Sequence, residues 1–195
     1  MKIRLLSHHL LLSIFILLLF AVNSIHAQKY SYEDAWSAEG LSMTRANDSG
    51  LEIAFSIHEL TLYDFELKGE QLKQLDIPGN FLPNNAGAPD LPGNGRYIAV
   101  PLGAEVSYTI TAERVEKFEN INIAPAPRIP LVNDEGPLHY EKDNRIYQHD
   151  AFYPEQPVQL SEKYTIRGVE SIIIGITPFQ YNPVSKELLV YRDLK

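Results

Sequence analysis

The sequence predicts an all-β fold, an antiparallel β-sandwich that follows an N-terminal signal peptide. Short runs of alternating apolar and polar residues recur along the chain, and this period of two is typical of strands that bury one face. Turns rich in Gly and Pro separate these runs, and no segment has the spacing of a clear amphipathic helix. Short strands without helices favour sheet-on-sheet packing.

The first 27 residues have the layout of a secretory signal peptide. Basic residues begin them, an apolar run follows at residues 10–22, and Ala27 ends them. This run is shorter than the roughly 20 residues that span a bilayer as a helix. An uncleaved anchor is the alternative, but the small residue at the end favours cleavage. We therefore expect export, no stable membrane insertion after cleavage, and one mature domain at residues 28–195.

Charge and cysteine content exclude several classes of function. The chain has 17 basic and 25 acidic residues, a formal net charge of −8, and no cysteine. Such a surface repels phosphate groups, so we expect no nucleic-acid partner. Without cysteine the exported domain has neither disulfides nor a cysteine nucleophile nor a thiolate metal ligand.

The mature strands are predicted from their alternation and from the turns between them. In residues 49–60, Leu51, Ile53, Phe55 and Ile57 alternate with smaller or polar residues, which predicts one buried face. Residues 126–157 are rich in Pro, Asp, Asn and Tyr and are expected to be irregular. Further strands are predicted at 60–67 with a bulge near Asp64, at 71–77, 96–102 and 104–118, and at 158–168, 169–179 and 186–194, with a hairpin turn at 181–188.

The last residues lie inside a strand pattern, so we expect the domain to be cut within its last strand and the natural protein to continue past Lys195.

No pattern in the chain predicts catalysis, a cofactor or a metal site. His58 lies on a polar strand face, where we expect it to be solvated. His139 and His149 lie near acidic residues but lack the short spacings of metal ligands. Residues 133–136 (NDEG) are predicted to form an ordinary turn rather than a calcium loop. The chain also lacks a nucleophile-elbow serine, a dinucleotide glycine pattern and a phosphate-binding loop.

Several ordered segments carry a family resemblance. They are GAPDLP at 87–92, RYIAVPLGA at 96–104, IAP at 123–125, FYP at 152–154, and RG at 167–168 followed by PFQYNPVSKEL at 178–188. Taken together, they resemble the N-terminal propeptide of gingipain-type cysteine peptidases, from about Leu51 to the end of the chain.

The resemblance implies a non-catalytic, β-sandwich-like prodomain of an exported peptidase precursor in a Gram-negative bacterium, located in the periplasm, at the cell surface or outside the cell. Such a prodomain keeps the peptidase latent by occupying its active-site cleft and assists its folding. The implied partner is the catalytic domain of the same precursor, which would lie beyond Lys195. No catalytic residue of the peptidase has a counterpart in this chain.

The resemblance also implies where the blocking residue lies. In the family it is a basic side chain in the irregular region after IAP, and the same spacing places Val132 there in this chain. Arg128 is the nearest basic residue, between Pro127 and Ile129, where neighbouring prolines stiffen the segment. Both residues remain candidates, and an ordinary solvated arginine is the alternative for Arg128.

The turn rich in Gly and Pro before the RYIAVPL strand is predicted to be structural. Glycines there supply unusual backbone angles, prolines fix the bend, and the arginine is expected to bond carbonyls at the strand entrance. These scaffold positions are Gly87, Pro89, Pro92, Arg96, Pro101 and Gly103.

A second function also fits the composition, that of an exported β-sandwich that binds glycans or surface proteins. Such a module would expose aromatic side chains as a sugar platform, and the candidates are Tyr140, Tyr147, Phe152 and Tyr153.

Overall fold

The computed structural model describes residues 27–47, 50–80, 84–133 and 136–195. The predicted signal peptide lies outside them except for Ala27. The described residues form antiparallel strands and one four-residue helix, so the predicted all-β antiparallel fold is confirmed. The elements are β1 (Ala27–Ser31), β2 (Gly40–Asn47), β3 (Gly50–Ser56), β4 (Glu59–Leu67), β5 (Glu70–Asp76), β6 (Asn94–Ala99), β7 (Glu113–Phe118), α1 (Asn144–Tyr147), β8 (Val158–Leu160), β9 (Tyr164–Ile166), β10 (Val169–Ile176), β11 (Phe179–Asn182) and β12 (Glu187–Leu194).

The strands of the described chain are arranged in three sheets around a shared core. One sheet has the order β1-β4-β5, and a second has the order β6-β10-β8 with β9 also paired to β10. The third has the order β11-β12-β3-β2, and β7 pairs with β12. Apolar side chains from all three sheets meet in one buried cluster, among them Leu62, Ile174 and Val190. Burial of this cluster is the main stabilising contribution in a domain without disulfides.

Strand β12 is the centre of the largest sheet. It pairs with β7 over most of its length and with β11 and β3 over its first and last residues. The β11–β12 ladder ends at the pair Asn182 and Glu187, so the predicted hairpin turn is confirmed. Near the end of β12, the buried Asp193 carboxylate accepts hydrogen bonds from the Ser56 hydroxyl (2.6 Å) and the Trp36 amide (2.8 Å). These bonds fasten the segment after β1 to the largest sheet.

The strand predicted at 49–60 is two strands with different surroundings. The chain leaves the largest sheet after Ser56 and enters the β1-β4-β5 sheet at Glu59. Residues 54–57 are therefore buried on both faces, whereas Leu51, predicted to face inward, is exposed near the β2–β3 turn. Alternation of apolar and polar residues predicts a strand with one buried face. It does not indicate that the chain passes from one sheet to another.

Four other expectations differ from the structure. The strand predicted at 158–168 is divided into the separate strands β8 and β9. Only residues 113–118 of the strand predicted at 104–118 are regular, and Val106 and Tyr108 in the irregular part are exposed. The β4–β5 ladder runs without interruption through the pair Asp64 and Lys73, so no bulge lies there. The sequence pattern does not predict β1, β2 or α1, since β1 and β2 are mostly exposed and α1 is a single turn. Among the described residues, no helix is long and apolar enough to cross a membrane.

Candidate functional site

Two extended arms lead into and out of residues 129–138, the segment that contains Val132 and directly follows Arg128. The incoming arm, residues 122–128, is buried at Ile123 through Ala126. It lies between β5, where the Lys73 amide donates to the Asn122 carbonyl (2.6 Å), and residues 87–90. Pro125 and Pro127 of this arm lack an N–H. Because of these missing donors, the arm forms isolated bridges instead of a continuous ladder.

The outgoing arm, residues 139–147, packs on the β4–β5 hairpin and ends in α1. The Tyr140 ring lies 5.0 Å from the Phe65 ring, and the Lys142 ammonium is 2.6 Å from the Glu70 carboxylate. The Tyr147 hydroxyl then donates to the Ile123 carbonyl at 3.0 Å. This last bond joins the outgoing arm to the incoming one.

Gly87 lies where the two arms meet and bonds to both. Its amide donates to the Ala126 carbonyl (3.0 Å), and its carbonyl accepts from the Asp143 amide (2.9 Å). Its φ of +86° suits glycine, and a Cβ at this position would lie only 2.9 Å from the Glu141 carbonyl oxygen. We call Gly87, Ala126 and Asp143 the root. A side chain at Gly87 would push one arm away from the other.

Beyond the root, the arms are joined once more and then separate into an exposed turn. The Arg128 amide donates to the His139 carbonyl at 3.0 Å, and these two residues form an isolated antiparallel bridge that we call the neck. Residues 129–138, which we call the tip, are exposed wherever the structure describes them, at 129–133 and 136–138. Val132 is 103% exposed and Leu131 is 71% exposed. The structure thus places Val132 at the tip and Arg128 at the neck.

Two open grooves flank the root. One, of about 570 Å³, has Arg128, His139, Glu141 and Asp143 among its lining residues, so cationic and anionic groups share it. The other, of about 440 Å³, lies on the side of Arg145 and Tyr153. Since Asp143 lines both grooves, the root lies between them.

Local contacts fix the ionisation of groups at the root. Hydrogen bonds from the Arg145 side chain and amide hold the pKa of the Asp143 carboxyl below its usual value. That carboxylate caps α1 by accepting from the Arg145 amide at 2.9 Å. Burial raises the pKa of the Tyr147 phenol, so Tyr147 stays a neutral hydrogen-bond donor to the arm. Burial also raises the pKa of Asp90, which accepts from the Asn84 side chain.

The other scaffold positions have separate structural roles. Pro89 is buried and bridges Pro125 beside the incoming arm, and Pro92 is partly buried. Arg96 lies exposed in β6 opposite Ile174, and the structure records no carbonyl bond from its side chain within the described residues. Pro101 and Gly103 form the turn after β6, where the Gly103 amide donates to the Glu170 carboxylate (2.9 Å).

The aromatic candidates and His58 are less accessible than expected, whereas His139 and His149 are exposed. The four aromatic residues considered for a sugar platform are all partly buried: Tyr140, Tyr147, Phe152 and Tyr153. His58, expected to be solvated, is partly buried with its Nε2 atom 2.8 Å from the Ser37 carbonyl oxygen. Within the described residues, no three His, Asp or Glu side chains cluster as metal ligands would. The turn predicted at 133–136 includes two residues outside those that the structure describes.

The sequence alone does not reveal the root as a unit. It predicts a backbone role for Gly87 in a turn but not the contacts of this glycine with the two arms. No local pattern pairs Gly87 with Ala126 and Asp143, which are distant along the chain. A signal did exist for Asp143, since an Asp before a short helical turn is a common N-cap.

Comparisons with known proteins agree with one another. A family model described as Propeptide_C25 matches residues 38–195. Lys-gingipain HG66 from Porphyromonas gingivalis is 26% identical over 150 residues, which cover 74% of this chain and 9% of that protein. Gingipain R1 from the same species is 28% identical over 111 residues, which cover 55% of this chain and 11% of that protein. The chain thus spans about a tenth of the length of these curated relatives.

Solved structures give the same result for the fold. A complex of the pro- and mature domains of Porphyromonas gingivalis RgpB matches with a TM-score of 0.73 and 21% identity, over 79% of this chain and 81% of that chain. A structure concerned with the zymogenic latency of gingipain K matches with a TM-score of 0.67 and 21% identity, over 87% of this chain and 98% of that chain. At this level of identity, the likeness is one of fold.

Proposed function

The chain belongs to the Propeptide_C25 family, and on that premise we propose that it is the non-catalytic prodomain that keeps a gingipain-type cysteine peptidase latent. The observation that carries this proposal is the exposed tip held on a buried, hydrogen-bonded root. A latency domain needs a segment that reaches into a cleft and a scaffold that holds this segment in one position.

The proposed mechanism is occupation of the active-site cleft by the tip. The root restricts the tip before binding, so less conformational entropy is lost when the complex forms. Because prodomain and peptidase belong to one precursor, the effective concentration of the tip near the cleft is about millimolar. Modest contacts then suffice for latency, and cleavage of the connection releases the inhibitor by dilution.

The scaffold positions have a place in this mechanism. We propose that Gly87 and Pro89 hold the arms, whereas Pro92, Arg96, Pro101 and Gly103 shape and end β6 away from the root. The set named from the sequence would then divide into positions that affect latency and positions that affect only the fold.

The proposal includes a precursor larger than this chain. The partner is the catalytic domain of that precursor, which would follow Lys195, and the prodomain would also assist its folding. Residues 1–27 would direct export and then be removed, consistent with relatives that are gingipains. The protein would act in the periplasm, at the cell surface or outside the cell.

A glycan-binding module receives no support from its four candidate aromatic residues. A stacking platform needs open ring faces, and all four side chains are partly buried. The Tyr147 hydroxyl is also bonded to the Ile123 carbonyl. These rings have packing roles around the root and the core.

An inhibition assay tests the proposed function. Residues 28–195, extended by the segment that follows them in the precursor, are added to the separately purified catalytic domain. We expect saturable inhibition that disappears when residues 129–138 are replaced by a short Gly-Ser linker. The matched control carries the same kind of replacement at the exposed turn of residues 101–104 and should inhibit like the wild type. Absence of inhibition by the folded wild-type domain, added at up to about millimolar concentration, would refute the proposed function.

A further inference from the structure

The tip is aliphatic and acidic in chemical character. Ile129, Leu131 and Val132 are exposed aliphatic side chains within four consecutive positions. Residues 129–138 contain Asp134 and Glu135 but neither Lys nor Arg. Exposed apolar side chains grouped in this way mark a surface that another molecule covers.

The neck fixes the main chain of Arg128 within the domain. Peptidases commonly bind peptide segments in extended form through main-chain hydrogen bonds. The Arg128 amide is already bonded to His139 at 3.0 Å inside the domain. Its side chain lines the groove beside the root, together with Glu141 and Asp143. The Arg128 main chain is therefore part of the support, although the residue is exposed.

Arg128 and Val132 differ in how their main chains are held within the described residues. Val132 is fully exposed, and no hydrogen bond to its backbone occurs within the described residues. Of the two candidates, Val132 is the one free to enter a pocket.

We infer that Val132 fills the main specificity pocket of the attached peptidase, and that this peptidase cleaves after aliphatic residues rather than after Arg or Lys. The inference rests on the proposed function. A pocket built for Arg or Lys carries negative charge, and it would receive no cation from residues 129–138, which contain neither Lys nor Arg. An apolar pocket complements the exposed side chains of Ile129, Leu131 and Val132.

A peptide panel tests the specificity directly. The mature peptidase of the same precursor is given substrates that differ only at the residue before the scissile bond, which is Val, Leu, Arg or Lys. We expect kcat/KM for Val or Leu to exceed that for Arg and Lys by about tenfold or more. A preference for Arg or Lys would overturn the inference, whether or not the prodomain inhibits.

A set of prodomain variants tests the role of Val132. We expect Val132→Asp to raise the inhibition constant about tenfold or more, because a charge enters an apolar pocket. Leu102→Asp is the matched control, since Leu102 is 90% exposed at the turn after β6. It should inhibit like the wild type. Arg128→Ala should weaken inhibition less than Val132→Asp does, because the Arg128 amide keeps its bond to the His139 carbonyl. Circular dichroism checks that each variant is folded.

The two proposals fail in different ways. If Arg128→Ala relieves inhibition and Val132→Asp does not, the inference is wrong although the prodomain still confers latency. If the wild-type domain gives no inhibition at all, the proposed function fails, and the peptide panel alone decides the specificity.

Discussion

The root and the tip of the presented loop differ in hydrogen bonding, packing and exposure. At the root, Gly87 has both main-chain groups bonded to the arms, and Ala126 is buried between β5 and residues 87–90. At the tip, Val132 and its described neighbours are exposed. The residues of the root are hydrogen-bonded and packed, and little of their surface is accessible. The described residues of the tip are accessible and make little packing contact.

This difference separates residues that position the loop from residues that contact a partner. A substitution at the root changes the stability of the domain and the placement of the loop together. A substitution at the tip changes what a partner meets and leaves the fold alone. Three pairs of variants test this separation, from the largest expected effect on stability to the smallest.

The largest effect is expected from Gly87→Ala. The added Cβ meets the Glu141 carbonyl oxygen at 2.9 Å, and the φ of +86° is unfavourable for alanine. We expect a loss of about 2–4 kcal/mol in the free energy of unfolding, from backbone strain and separation of the arms. Urea denaturation measures this loss, and an inhibition assay should show weaker binding by the molecules that remain folded.

Gly103→Ala is the matched control for that variant. Its φ of +75° is similar, but nothing lies within 4 Å of the added Cβ. We expect a loss of about 1–2 kcal/mol, from the backbone conformation alone, and unchanged inhibition. Equal losses at both glycines would show that contact with the arms contributes nothing.

An intermediate effect is expected from Tyr147→Phe. The change removes the bond to the Ile123 carbonyl, a buried acceptor, and we expect a loss of about 1–2 kcal/mol in the free energy of unfolding. Tyr97→Phe, at an exposed tyrosine of β6, should change it by less than about 0.5 kcal/mol. If thermal unfolding gives the same midpoint for both variants, the arms are not joined through Tyr147.

The smallest effect on stability is expected at the tip. Val132→Ala should change the free energy of unfolding by less than about 0.5 kcal/mol. The same substitution at Val190, fully buried in β12, should cost about 2–3 kcal/mol. A large loss from Val132→Ala would mean that the tip is packed within the domain and is not presented to a partner.

Local patterns predicted most of the fold but not the structure of the site. Alternation and turn residues gave the antiparallel all-β class and the β11–β12 hairpin, because these depend on neighbours in sequence. Residues 104–112 alternate too, yet they form no regular strand, since pairing depends on a partner that the pattern does not name.

The same limit applies to the site. The prolines of the incoming arm and the need for glycine at position 87 are visible in the sequence. Their connection through Ala126 and Asp143 is a long-range contact and needs the fold. Exposure of Val132 likewise follows from the neck, where Arg128 bonds to His139, and no composition rule predicts that bond.

Hydrogen exchange of the domain, alone and bound to the catalytic domain of its precursor, tests the central claim most directly. We predict that binding protects the amides of residues 129–138 most strongly, and that the turn at 101–104 exchanges as fast as in the free domain. The root should be slow to exchange in both states, because its amides are already bonded. Unchanged exchange at the tip, with protection elsewhere on the domain, would contradict the account.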